Sequence, residues 1–205
     1  MLISDLGTSS LDVLSASTLD QVYALAATVD TKDPYTYGHS KRTAAIAESL
    51  GKAIGLGSEE LSDLTAAAFL HDIGKVGIAD MILTKPGKPK KEEWEAIKKH
   101  CAEGAKIVQH VKELMPLAPI ILHHHEWYDG TGYPDGLKGE EIPLHARIIS
   151  VADAYDTMTA QRSYHEGVSP QKALEELERC SGTQFDPQLI KALRRITGNE
   201  SVGDY

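Results

Sequence analysis

Side chains able to bind a metal ion recur along this sequence on stripes that are otherwise apolar. His124 and His125 stand together and run into Glu126, and a Gly-rich turn closed by Gly132-Tyr133-Pro134 follows at once. Upstream lie His39, the pair His71-Asp72, and His100; downstream lies Asp153. A single inward histidine is more often a hydrogen-bonded core residue than a ligand. Five inward imidazoles beside two carboxylates fit that reading poorly, because each polar group buried without a partner costs on the order of a few kcal/mol. A metal centre removes the cost, since it requires unprotonated imidazole and ionised carboxylate. Mixed imidazole and carboxylate donors suit Fe, Mn, Zn, Co or Ni better than Ca or Mg. The donors exceed the needs of one ion, so two ions bridged by an aspartate are expected. Such a pair points to hydrolysis, most often of a phosphate ester. Lys75 is then placed to offset charge on a phosphate oxygen, and Arg162 to fork onto another. For both cations an ordinary surface charge is the competing reading.

These residues need helices to position them. At 3.6 residues per turn, His39, Thr43, Ile46 and Leu50 share one face of a helix over 39–54 that ends at Gly55. Ser58 is expected to cap the next helix, whose inner stripe Leu64, Ala67, Ala68 and His71 again ends on a histidine, with Gly74 as the stop. The basic run over 85–91 reads as a solvated loop. A long helix is expected from 92 to about 112, with Trp94, Ile97, Cys101, Ala105 and Val108 inward and His100 at the edge of that face. A further helix over 116–126 carries Ile120, Ile121, His124 and His125. The segment 144–160 is apolar on more than one side, hence central, and places Ile149, Asp153 and Asp156 on one stripe. Residues 18–31 read as a first helix, and amphipathic helices over 169–179 and 187–195 finish the chain. Strand patterns are absent, so the fold class is all-α.

Composition narrows the setting. The 205 residues fit one domain, with 41% hydrophobic and 25% charged side chains. A net charge of −9 argues against binding a nucleic-acid polymer, which needs a basic face, but not against a small anion at a metal. Cys101 and Cys180 form no disulfide framework, which favours a reducing compartment. Residues 1–17 lack the pattern of a signal peptide and no apolar run would span a membrane, so a cytoplasmic protein is expected, with 1–17 as a loose or linker segment.

His71-Asp72-Ile73-Gly74-Lys75 resembles the HD signature of the HD phosphohydrolase superfamily. The run from His124 through Asp129 to Pro134 is similar to the HHExxDGxGYP signature of its HD-GYP branch. Supporting stretches are 33–40, 147–156 and Gly182-Thr183-Gln184-Phe185-Asp186-Pro187. The likeness spans about 18–197. It implies a helical bundle around a binuclear metal centre, with 18–205 as the catalytic domain. It also implies a phosphodiesterase that opens cyclic di-GMP to a linear dinucleotide, with further cleavage to GMP left open. The implied ligands are His39, His71, Asp72, His100, His124, His125 and Asp153. Asp72 bridges two divalent ions, Fe or Mn before Zn, Ni or Co. A metal-bridging hydroxide attacks phosphorus, while Lys75 and Arg162 contact phosphate. Gly132, Tyr133 and Pro134 face substrate or a partner such as a diguanylate cyclase. Glu126, Asp129 and Asp156 support the ligands. His110, His123 and His145 have no ligand counterpart.

Three departures are visible. Tyr35 stands where some family members place a glutamate that helps hold a third ion, so two ions are expected. Arg162-Ser163-Tyr164-His165 replaces a more basic run, leaving less fixed charge for substrate. Family members commonly follow a receiver or sensory domain, and none is read in these residues. Two alternatives stay open: another cyclic dinucleotide or nucleotide as substrate, and a binding module with little turnover.

Overall fold

The computed structural model describes residues 22, 24–25, 38–85, 87–160 and 167–198. Tyr35, Arg162 to His165, residues 1–17 and most of the expected first helix lie outside them; Val22, Ala24 and Leu25 are helical, with Val22 buried. Besides those three residues, the described residues form nine α-helices and no strand, with one isolated bridge between Ser181 and Phe185. The helices are α1 (His39–Ala53), α2 (Ser58–Leu70), α3 (Asp80–Leu83), α4 (Lys91–Lys98), α5 (His100–Gln109), α6 (Ala118–His123), α7 (Leu144–Thr159), α8 (Pro170–Arg179) and α9 (Pro187–Gly198). None of these helices is long and apolar enough to cross a membrane.

α1 packs chiefly on α2 and α7, and α5 packs on α6 and on a 3-10 turn, Ile73–Gly77. The two groups meet at a core of Leu50, Leu64, Leu70, Ile73, Ile121 and Ile149, all essentially inaccessible to solvent. α7 is central because it buries two sides at once, through Ile148, Ile149, Val151 and Ala152. Its neighbours α8 and α9 are amphipathic covers. Ser169 caps α8 by accepting from Lys172 N, and Pro170 takes the first position, where no amide hydrogen is needed.

Local structure corrects four expectations. The capping residue of α2 is Gly57 and not Ser58: Glu60 reaches back to accept from Gly57 N at 2.9 Å, and Ser58 already lies within the helix. The long helix expected over 92–112 is broken at Lys99 into α4 and α5, and Trp94 is 43% exposed while His100 is buried. The helix expected over 116–126 is a 3-10 turn, Lys112–Leu117, followed by α6, so His124 and His125 lie just past a helix end. Gly74 does not stop α2 with a left-handed turn. A Cβ there would stand 1.9 Å from His100 O and 2.5 Å from Gly104 N, so the glycine lets the 3-10 turn lie against α5.

Candidate metal centre

Three of the histidines share one construction. His71 follows the last residue of α2, His124 follows the last residue of α6, and His100 begins α5 after the break at Lys99. Helix ends leave carbonyls without amide partners. Each ring bonds a carbonyl three residues before it: Nδ1 of His71 lies 2.7 Å from Ala68 O, Nδ1 of His100 2.6 Å from Ile97 O, and Nδ1 of His124 2.7 Å from Ile121 O. A carbonyl only accepts, so each Nδ1 is the donor and each Nε2 is turned the other way. The helix termini thereby fix both the tautomer and the aim of the imidazoles.

The Nε2 atoms converge. His71 Nε2 is buried with no hydrogen-bond partner among the described residues, 3.4 Å from Asp72 Oδ2. His100 Nε2 lies 3.4 Å from Asp72 Oδ1 and 3.4 Å from His124 Nε2. The Asp72 carboxylate therefore turns one oxygen toward His71 and the other toward His100. On the His71 side, His39 Nε2 lies 3.2 Å from Asp153 Oδ1, and donor atoms of His39, His71 and Asp153 all fall within 4.8 Å of one another. On the His100 side, a second group within the same span joins His100, His124 and His125 with the Cys101 sulfur. The orphaned nitrogen of His71 and the facing nitrogens of His100 and His124 are the donor set that a divalent metal requires, so the residues present fit such a group.

Charge differs across the centre. Burial works against a charged His39, but hydrogen bonds to Asp153 and Asp156 outweigh it and lift its pKa to about 9. Burial pushes His124 well below the ordinary histidine value, aided by the neighbouring His125 and His100, and takes His125 down to about 4. His100 is lowered too, chiefly by burial. Burial alone would raise the Asp72 carboxyl, yet Lys75 and His71 hold it well below the usual range, so it is ionised. Burial pushes the Cys101 thiol up to about 12.

The supporting residues are spread around this core. Asp156 is buried; its Oδ2 accepts from His39 Nδ1 at 2.7 Å, and Arg42 Nε donates to its Oδ1 at 2.6 Å. Nothing in the sequence singles out Arg42, although it stands three residues after an inward histidine. Lys75 Nζ lies 2.6 Å from Asp72 Oδ2. Glu126 is buried and groups with His123 and Asp135, not with the clustered histidines: it accepts from Asp135 N at 2.7 Å and Gly136 N at 3.0 Å, pinning the loop that follows. Asp129 lies on that loop and accepts from Thr131 N and Oγ1. Gly132 packs against main chain, where a Cβ would lie 2.1 Å from Trp127 N. The Tyr133 ring stands 5.1 Å from that of His125 and edge-to-face with Trp94 at 6.2 Å, and the Tyr133-Pro134 peptide is cis. The stretch 182–187 has a role that its spacing did not announce. Its carbonyls at Thr183 and Gln184 accept from Asp129 N and Tyr128 N, while Asp186 caps α9 and pairs with Arg147 of α7. His123, beside two members of the cluster, turns outward to Pro119 O and Asp135.

A family model described as HD domain matches residues 24–189. The chain belongs to the HD-domain family. His71 and Asp72 are the pair from which an HD domain takes its letters, and they sit at the middle of the donor cluster. The chain is 40% identical over 174 residues to a 3′3′-cGAMP-specific phosphodiesterase of Vibrio cholerae serotype O1, covering 85% of this chain and 38% of that protein. It is 37% identical over 196 residues to a cyclic di-GMP phosphodiesterase of Pseudomonas aeruginosa, covering 94% of this chain and 47% of that one. The HD chain thus spans less than half the length of either relative. The crystal structure of a cyclic GMP-AMP-specific phosphodiesterase from V. cholerae shares the fold, with a TM-score of 0.70 at 24% identity over 88% of this chain and 49% of that one.

Proposed function

We propose that this HD domain is a metal-dependent phosphodiesterase that opens a cyclic dinucleotide, with cyclic di-GMP as the first candidate and 3′3′-cGAMP as the second. The observation that supports it best is the Asp72 carboxylate, which offers one oxygen to each of two donor groups. In this reading His39, His71 and Asp153 would hold one divalent ion, and His100, His124 and His125 would hold another. Asp72, with one oxygen near His71 and the other near His100, would serve both, Fe or Mn being the preferred metals. When bound, the ions lower the pKa of a water and oppose charge at phosphorus.

The chain's own residues do the rest. Lys75, whose ammonium stands beside Asp72, offsets charge on a non-bridging oxygen of the scissile phosphate. Arg162 has the same task on the motif alone. Tyr133 and half-exposed Trp94 present aromatic surface next to His125, suited to a nucleobase. A regulatory protein that met the 132–134 loop would approach this same face. Residues 18–205 form the catalytic unit, an assignment supported by the family match and by packing of α9 on α1 and α7.

The test is product analysis with Mn(II), or anaerobically with Fe(II), on cyclic di-GMP and 3′3′-cGAMP in parallel. A linear dinucleotide is expected from the wild type and only background from Asp72→Ala. No product from metal-loaded wild type, or undiminished product from the variant, overturns the proposal.

A further inference from the structure

Lys98 pairs with Glu95 at 2.8 Å, one turn earlier on α4. Elsewhere on the surface such helical pairs leave the lysine in solvent: Lys52 with Glu48 and Lys106 with Glu103 keep 58% and 66% of the side chain exposed. Lys98 keeps 28%, nearer to the 19% of Lys75 beside Asp72. The contact that draws it in is the Tyr133 ring, whose centroid lies 5.8 Å from Nζ, within the range at which an aromatic face attracts a cation. Trp94, four residues before Lys98 on the same helix, meets the same ring, and that ring stands 5.1 Å from His125. A cation is therefore held one aromatic ring away from the donor cluster. Its surroundings share its sign. Residues 85–99 hold six lysines against three glutamates, in a chain whose net charge is −9. A local excess of that kind attracts an anion to this side of the centre.

A cyclic dinucleotide carries two phosphodiesters, each with one negative charge. In the proposed function the ions, Lys75 and Arg162 oppose the charge of the one being cleaved, and the other still needs a counter-charge. We propose that Lys98 binds this second, uncleaved phosphate. The inference rests on the phosphodiesterase reading of the proposed function and deepens it by naming a specificity residue. Glu95 keeps 55% of its side chain exposed, and so exposed a pair holds weakly, so the ammonium passes from carboxylate to phosphate at little cost. A ligand with a single phosphate, or with an uncharged second linkage, forgoes the contact. Lys98 therefore favours cyclic dinucleotides over simple phosphate esters.

The experiment is a double-mutant cycle between protein and substrate on Mn(II)-loaded protein. The substrates are cyclic di-GMP, or 3′3′-cGAMP if the wild type prefers it, and the analogue in which one phosphodiester is an uncharged methylphosphonate. On the natural ligand, Lys98→Gln should lose about tenfold in kcat/KM, mainly through KM, the low end for a hydrogen bond to a charged group. Lys98→Arg should keep most of the wild-type value. On the analogue the wild type should already have lost as much, and Lys98→Gln should lose little more. An undiminished kcat/KM for Lys98→Gln on the natural ligand overturns the contact and leaves the phosphodiesterase standing. So do losses that multiply in full, which is what a structural role or a contact to a base would give. Failure of the wild type to open either cyclic dinucleotide overturns the proposed function, and this contact with it.

Discussion

His39 has an acid at each end of its ring, Asp153 3.2 Å from Nε2 and Asp156 2.7 Å from Nδ1, whereas His124 has a main-chain carbonyl behind it and other imidazoles in front. The same residue type is therefore put to opposite electrostatic use in the two halves of one centre. Without metal, the carboxylate half holds His39 in its doubly protonated, charged form, and the imidazole half leaves His124 and His125 neutral. Metal entering the first half must displace a proton; entering the second, at neutral pH, it displaces none from those rings. Asp72 turns one oxygen to each half, so its loss should erase the distinction. Asp72→Ala is expected to lower metal content in both halves together. Turnover should fall by at least about a hundredfold, the upper end of what losing even an outer-shell partner costs. Metal analysis of wild type and variant, purified alike, checks it; an unchanged metal content contradicts the shared role.

Asp156 tests the halves separately. It orients His39 and is itself oriented by Arg42 from α1. Asp156→Asn keeps the shape and removes the charge behind the ring, and should weaken metal binding in the carboxylate half by roughly 10–100-fold. Binding on the His100 side should stay as it was. Two-phase titration with Mn(II) reads this directly, and equal weakening of both phases would merge the halves into one unit.

Acid and base should also act on different halves in metal-stripped protein. His39 has a folded pKa of about 9 against 6.5, so its contribution to stability is complete below pH 6.5 and is lost as pH rises through 9. His125 has the opposite sign. Its folded pKa of about 4 lies below 6.5, so the unfolded chain binds a proton that the folded one refuses, and stability falls as pH drops from 6.5 toward 4. Urea midpoints across this range should form an arch, with His39→Asn lacking the alkaline limb and His125→Asn the acid one. A midpoint that stays flat from pH 6.5 to 9 would rule out a proton on His39.

Gly74 lies at the seam, where the turn after Asp72 meets α5. An alanine methyl must push back His100 O, so Gly74→Ala should destabilise by about 1–3 kcal/mol and weaken metal binding as well. Gly77, where an added methyl would meet nothing within 4 Å, makes the control: Gly77→Ala should stay within about 0.5 kcal/mol of wild type. Comparable losses from both would mean that close packing is not what Gly74 provides.

Much of this was legible along the chain, and the failures have physical causes. Inward stripes ending on His39 and His71 follow from helical spacing, and both residues are buried as expected. The break at Lys99 was not legible, because Trp94, Ile97, Cys101, Ala105 and Val108 keep a helical rhythm straight through it. It is visible only once Ile97 O is seen accepting from the His100 ring. Gly74 misleads because a glycine after a helix serves equally as a left-handed stop or as a place of close approach, and only the neighbour decides. Arg42 pairs with Asp156 across 114 residues, a relation that no local spacing encodes. The stretch 182–187 matched a motif before its work of holding the loop at Tyr128 and Asp129 could be seen.

The smallest effect is expected from the histidine next door. His123 adjoins His124 in sequence, but sits on the last turn of α6 with its ring between Pro119 O and the exposed carboxylate of Asp135. With one partner more than half exposed, that ion pair is worth at most about 1 kcal/mol. His123→Ala should therefore leave metal content unchanged and move the urea midpoint slightly, whereas His124→Ala should empty the His100 side. A change of one residue in register thus separates a surface pair from a ligand. If His123→Ala removed metal as His124→Ala does, the outward turn of this ring would not describe the protein in solution, and the division of the centre into two halves would need a third member.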